Sequence, residues 1–169
     1  RLMFQPSRTS ETTMDSLFDR IVASGVLRDI EAQGAAEYPS EACGVLVEDA
    51  DGIVAVPFEN MQDKLHAIDP ERFTRTSRTA YNLNSLKLER IRSERNVCVI
   101  YHSHVECDAY FSDEDQAGAV TPDTSEPVIP GVDYLVISIY DRKAREANLY
   151  RYSSQSKRYE HVDGTEIEA

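Results

Sequence analysis

The chain of 169 residues is 41% apolar and 28% charged, the balance of an ordinary globular protein with a core of its own. Its formal charge of −12 argues against nucleic acid and against an anionic membrane surface, each of which needs a basic face; it favours a partner carrying basic residues. No apolar run approaches the ~20 residues of a bilayer-spanning helix and no signal-peptide pattern opens the chain. The three cysteines, Cys43, Cys98 and Cys107, lack a disulfide spacing and point to a reducing, cytoplasmic setting.

Residues 1–13 are polar and without period, so they read as a disordered arm or a remnant of recombinant expression. The folded domain is placed at 14–153. From Met14 apolar residues recur at helical spacing, Leu17, Phe18, Ile21 and Val22, then Val26, Leu27 and Ile30 after Gly25. Two helices meeting at Gly25, the second ended by Pro39, account for this pattern. Ala42–Glu48 and Ile53–Phe58 are apolar runs joined by Asp49-Ala50-Asp51-Gly52, the composition of a hairpin turn. Glu41 stands at the mouth of that hairpin, where a glutamate is ordinarily a solvated strand-end acid. Glu59–Pro70 reads as a loop, Arg72-Phe73-Thr74 as a short strand, and Thr79–Arg92 as a helix of imperfect period. His66 falls in the loop, and the sequence supplies no partners for a second metal site there.

Val97-Cys98-Val99-Ile100-Tyr101 is the pattern of a fully buried strand. Thr121–Pro127 is a loop by composition, Pro130-Gly131 a turn, and Tyr134–Tyr140 a second buried strand. Ala147 and Leu149 alternate with polar neighbours, so Glu146–Tyr152 reads as an outer, half-exposed strand. The polar, acidic residues 154–169 are expected to fray. Helices and strands interleave without regular βαβ alternation and without an internal repeat. One α/β (α+β) domain follows, a mixed sheet flanked by helices.

The chemistry concentrates after the first buried strand, in Tyr101-His102-Ser103-His104-Val105-Glu106-Cys107-Asp108-Ala109-Tyr110-Phe111-Ser112-Asp113-Glu114-Asp115. Residues two apart on a strand face the same side, which turns His102 and His104 toward one volume. Ser112 starts a helix, and Asp115 lies in its first turn. Each half has a plain reading: paired histidines are usually hydrogen-bonded or at the surface, and Ser-x-x-Asp is a common helix cap. Together they place two imidazoles and a carboxylate in reach of one ion, the ligand count of a catalytic zinc site with water in the fourth position.

The joined pattern His-x-His-x7-Ser-x2-Asp resembles, gap for gap, the signature of the JAMM (MPN+) zinc metalloproteases. Pro39-Ser40-Glu41-Ala42-Cys43-Gly44-Val45 resembles the segment in which that family places a glutamate, and the likeness runs from about Leu27 to Tyr152. One departure is Val105, where the family commonly has proline; it loosens the expected loop shape and removes no chemical group. The resemblance implies the JAMM (cytidine-deaminase-like) fold and one Zn²⁺ held by His102, His104 and Asp115. It also implies Glu41 as proton carrier and Ser112 as hydrogen-bond donor to the carbonyl oxygen, while Cys107, beside the site, receives no role. The substrate it implies is a ubiquitin-like modifier or a sulfur-carrier protein, cut after its C-terminal glycines, as in the short bacterial and archaeal forms. Two alternatives are a phage-tail-type peptidase of cell-wall peptides, for which a companion domain is lacking, and a non-catalytic scaffold, which characteristically loses the ligands. A zinc nucleobase deaminase would need His-x-Glu and Pro-Cys-x-x-Cys, and neither occurs.

Overall fold

The computed structural model describes residues 15–168, so the arm expected at 1–13 lies outside the described residues. Ser16 and Asp19 cap one another's amides and open helix α1 (Leu17–Ser24). Gly25, at φ 83°, ends α1 and begins α2 (Val26–Glu37), a backbone conformation that costs glycine little and other residues more. The hairpin follows as β1 (Cys43–Asp49) and β2 (Gly52–Phe58), in register from Cys43 opposite Phe58 to Asp49 opposite Gly52.

The next segment departs from expectation. Within the stretch read as a loop lies helix α3 (Gln62–Ile68), and residues 72–74, a turn, a bend and then irregular backbone, are not the strand that was expected. Polar contacts hold this segment. Asn60 accepts from the amides of Gln62 and Asn82, Gln62 donates to the Arg75 carbonyl, and Asp63 accepts from both the amide and the hydroxyl of Ser77. Residues 79–84 stay extended or turned, and α4 starts only at Ser85, capped by Asn84, and runs to Glu94.

Strand β3 (Val97–Val105) continues through both histidines. Helix α5 (Asp113–Ala119) lies between it and β4 (Asp133–Tyr140), which is followed by β5 (Lys143–Ser153) and β6 (Arg158–Glu166). The six strands form one mixed sheet in the order β2-β1-β3-β4-β5-β6. The acidic tail expected to fray is therefore corrected: residues 158–166 are a paired strand, held by eight register pairs to β5 and by Tyr159 buried in the core. It follows that β5 is an interior strand and not the outer one expected.

Only β3 and β4 pair in parallel among the described strands. A parallel neighbour cannot be reached through a tight turn, so residues 106–132 must cross back over the sheet. That crossover carries α5 over the end of β3. Alternation along the strands separates two cores. Leu46, Val99, Tyr101, Leu135, Ile137 and Leu149 pack under α1 and α2 with Phe18, Ile21 and Ile30. On the opposite face Val45, Ile100, Val136, Tyr134, Tyr150 and Tyr159 pack with Leu88, Ala119 and Ile129. Each fully buried Leu, Ile or Val contributes roughly 1.5–3 kcal/mol of burial free energy. Gly44 permits a close crossing: a Cβ there would meet the Tyr101 hydroxyl and the Val56 carbonyl.

Candidate metal centre

His102 and His104 lie opposite Val136 and Ser138 of β4, at a point where the sheet is covered on both sides, and both side chains are buried. Asp115 reaches them from the first turn of α5. Its Oδ2 stands 3.3 Å from Nε2 of each histidine, and one ligand atom from each of the three residues falls within 4.8 Å of the others. Ser112 fixes that carboxylate. The Ser112 amide donates to Asp115 Oδ2 at 3.0 Å, while the Asp115 amide donates to Ser112 Oγ at 3.0 Å. Because Ser112 Oγ is here an acceptor, its own hydroxyl proton remains free to point elsewhere.

The donor chemistry tests whether these groups suit a cation. His104 Nδ1 donates to the Asp108 carbonyl at 2.8 Å. In the neutral ring this leaves a lone pair, and not a proton, on the Nε2 that faces Asp115. His102 is fully buried, and neither of its ring nitrogens has a hydrogen-bond partner among the described residues; its Nε2 is near the carboxylate but outside hydrogen-bonding geometry. Unpartnered buried polar atoms cost free energy, and lone pairs that converge on one another cost more. A cation among them removes both costs. The residues fit a metal.

Electrostatics agree. Burial holds His102 below the usual histidine range, against the pull of the Asp115 charge, so its ring is neutral. Burial works to raise Asp115, and the Ser112 amide that donates to its Oδ2 works against burial and favours the carboxylate. A neutral His102 ring and an ionised Asp115 are protonation states that ligation needs.

Glu41 departs from the solvated acid expected at a strand end: it is only 5% exposed. Its carboxyl lines a cleft of about 130 Å³ together with His104, Ser112, Asp115, Cys107, Tyr110 and Arg75. Burial, and then the Asp115 charge, push it up to about 9. Cys107 contributes no atom to the three-ligand cluster, and burial raises its thiol, which weakens it as a ligand. His66 is spent elsewhere, with Nδ1 against the Phe73 carbonyl.

Sequence reasoning missed several participants. Tyr81 stacks on His102, ring centroids 4.3 Å apart, and Tyr110 meets His104 edge-on at 4.9 Å. Arg75 pairs with Glu114 across the cleft at 2.6 Å. Only the presence of aromatic and basic residues was visible; the partnership of Tyr81 with His102 depends on the path of residues 59–84. The loop after His104 is also firmer than Val105 suggested. Val105 still pairs with Ile139, and Ala109 is held through Glu146, Asn148 and Tyr150. A larger groove of about 460 Å³ adjoins the cleft, sharing Arg75, Thr79, Glu114 and Asp115 with it and lined further on by Phe73, Leu83 and Tyr134.

Among known families, the model of prokaryotic homologs of the JAB domain matches residues 23–150. No curated protein matches the sequence. Among solved structures, the chain is similar to a Salinibacter ruber protein, 18% identical, with 82% of this chain and 85% of that one covered and a TM-score of 0.52. It is likewise similar to a Desulfitobacterium hafniense protein, 17% identical, with 81% and 85% covered and a TM-score of 0.53. These likenesses are likenesses of fold.

Proposed function

The chain belongs to the family of prokaryotic homologs of the JAB domain, and on that footing we propose that it is a zinc-dependent peptidase or isopeptidase. The observation that carries the reading is the buried His102 ring, unpartnered at both nitrogens, aimed with His104 and Asp115 at one point beside Glu41. His102, His104 and Asp115 would hold one Zn²⁺. When bound, the ion supplies Lewis acidity and lowers the pKa of coordinated water to roughly 7.

The protein's own groups supply the rest. Glu41 keeps its proton in the metal-free cleft; with a cation held beside it the carboxylate would be favoured, and that carboxylate accepts the proton of an attacking water and returns it to the departing amine. Ser112, with its hydroxyl proton uncommitted, donates to the carbonyl oxygen as negative charge develops there. The complete ligand set weighs against a scaffold role.

The substrate we propose is a ubiquitin-like modifier or sulfur-carrier protein, cut after its C-terminal glycines. Support comes from the shape of the cleft. A space of about 130 Å³ suits a backbone without a side chain, and the adjoining groove offers room for the extended tail that precedes it. The −12 charge favours a tail with basic residues, and the free thiols suit a reducing cytoplasm. Among the described residues no helix is long and apolar enough to cross a membrane.

Two measurements test this. Metal analysis should find one zinc per chain in the wild type and little in His104→Ala; equal zinc in both, or none in either, overturns the metal assignment. A cognate modifier with a short C-terminal extension should be cut when its terminal glycine is kept and resist when that glycine becomes alanine. Cleavage indifferent to the glycine, or of cell-wall peptides alone, overturns the substrate reading.

A further inference from the structure

Glu106 lies two residues beyond His104 with φ of 56°, the left-handed region that a glutamate rarely occupies. Such a conformation persists only where surrounding contacts over-determine it. Three contacts do so. The Glu106 amide donates to the Ile139 carbonyl at 2.8 Å, the Asp141 amide donates to Glu106 Oε1 at 2.7 Å, and the Tyr38 hydroxyl donates to the same oxygen. Asp141 and Arg142 both have positive φ and form the two-residue turn between β4 and β5; the Arg142 guanidinium covers the Tyr38 ring at 5.2 Å.

The clasp thus joins three segments. Tyr38 is the last residue of the α2 end, three positions ahead of Glu41. Glu106 opens the loop in which the Asp108 carbonyl orients His104 Nδ1. The β4–β5 turn gives a fixed base. Tyr140, the last residue of β4, reinforces it by donating to Asp108 Oδ1 at 3.0 Å. Glu106 touches neither His104 nor the cleft, and everything it does there passes through backbone.

We infer that Glu106 is a positioning residue: its carboxylate clasps the Tyr38 hydroxyl and the Asp141 amide, and so sets the loop whose Asp108 carbonyl holds His104 in its ligating orientation. The inference rests on the metal reading proposed above. Groups that orient a ligand's other nitrogen usually change metal affinity by 10- to 100-fold when removed. Glu106 acts one step further out and is exposed to water, so a loss of about three- to tenfold is expected.

The test is zinc affinity by chelator competition, together with amide hydrogen exchange of residues 105–109 in metal-free protein. Glu106→Ala should weaken zinc three- to tenfold and speed exchange at Val105–Ala109. Glu106→Gln should restore most of both, because its carbonyl oxygen still accepts from Tyr38 and Asp141. Tyr38→Phe, a milder change, should fall between. Should Glu106→Ala fail to fold, Tyr38→Phe and Glu106→Gln give the same comparison. Unchanged affinity in zinc-binding Glu106→Ala and Tyr38→Phe proteins overturns the inference, as does a Glu106→Gln protein no better than Glu106→Ala. A wild type that binds no zinc overturns the metal reading instead.

Discussion

Replacing Glu41 by glutamine in the metal-free protein should make the folded state more stable at alkaline pH. The folded Glu41 carboxyl keeps its proton up to about 9, against an ordinary 4.5, chiefly because of burial. In the unfolded chain the same group ionises near 4.5. Between these values the folded protein binds more protons than the unfolded one, so stability falls as pH rises. Each pH unit of the gap is worth about 1.36 kcal/mol, which sets a ceiling of roughly 6 kcal/mol. Water entry and local relaxation at an exposed cleft reduce such values, and about 2–4 kcal/mol is expected. Glutamine mimics the protonated acid and does not titrate. His102 is lowered by burial and acts in the opposite sense, its contribution lost as pH falls below about 6.5, but it does so equally in both proteins. Urea unfolding of chelator-stripped protein at pH 5, 7 and 9 measures the difference. Wild type and Glu41→Gln should be close at pH 5 and separate by about 2–4 kcal/mol at pH 9, with the variant the more stable. A gap that stays within about 0.5 kcal/mol across that range refutes the buried, protonated Glu41.

Ser112→Ala removes an N-cap and should cost about 1 kcal/mol of stability, but about 10²–10³ in kcat if the hydroxyl serves the carbonyl oxygen; thermal melts and turnover on the cleaved modifier separate the two. Gly44→Ala should destabilise by about 1–3 kcal/mol or more in urea unfolding, because the added methyl meets Tyr101 and the Val56 backbone. Arg75→Ala breaks a pair whose side chains are 45% and 54% exposed. Its stability cost should stay below about 1 kcal/mol, and any effect should appear in KM for tailed substrates.

What could be read in advance followed local periodicity. His102, His104, Ser112 and Asp115 were placed by a strand period of two and a helix cap, both properties of neighbouring residues. The hairpin, the Gly25 break and the buried strands were legible for the same reason. α3 was not, because Leu65 and Ile68 are not in either core and the helix is held by Asn60, Gln62 and Asp63 through side-chain hydrogen bonds. β6 was hidden too: Arg158–Glu166 is largely polar, and its strand state comes from pairing with β5 and from Tyr159, not from an apolar pattern. Nor does a sequence reveal that Glu41 sits under Arg75 and Thr79, since its burial depends on the fold of residues some 35 positions downstream.

Gln116, the residue after Asp115, binds both main-chain groups of Tyr159, donating to its carbonyl at 2.8 Å and accepting from its amide at 3.0 Å. Phe111, ahead of the same helix, packs on Tyr134, Tyr150 and Tyr159 at 5.2–5.6 Å. The helix that delivers the carboxylate is thus fastened to a strand 43 residues later in the chain. During synthesis, at about 5–20 residues per second, the two histidines and Asp115 emerge seconds before the strand that steadies them. A nascent chain extended only through β5 has all three ligand residues and the Phe111 contacts to Tyr134 and Tyr150, but lacks the Gln116 bonds to Tyr159 that fasten α5. On the metal reading proposed above, a chain cut short before Tyr159 should therefore hold zinc more loosely than the full chain.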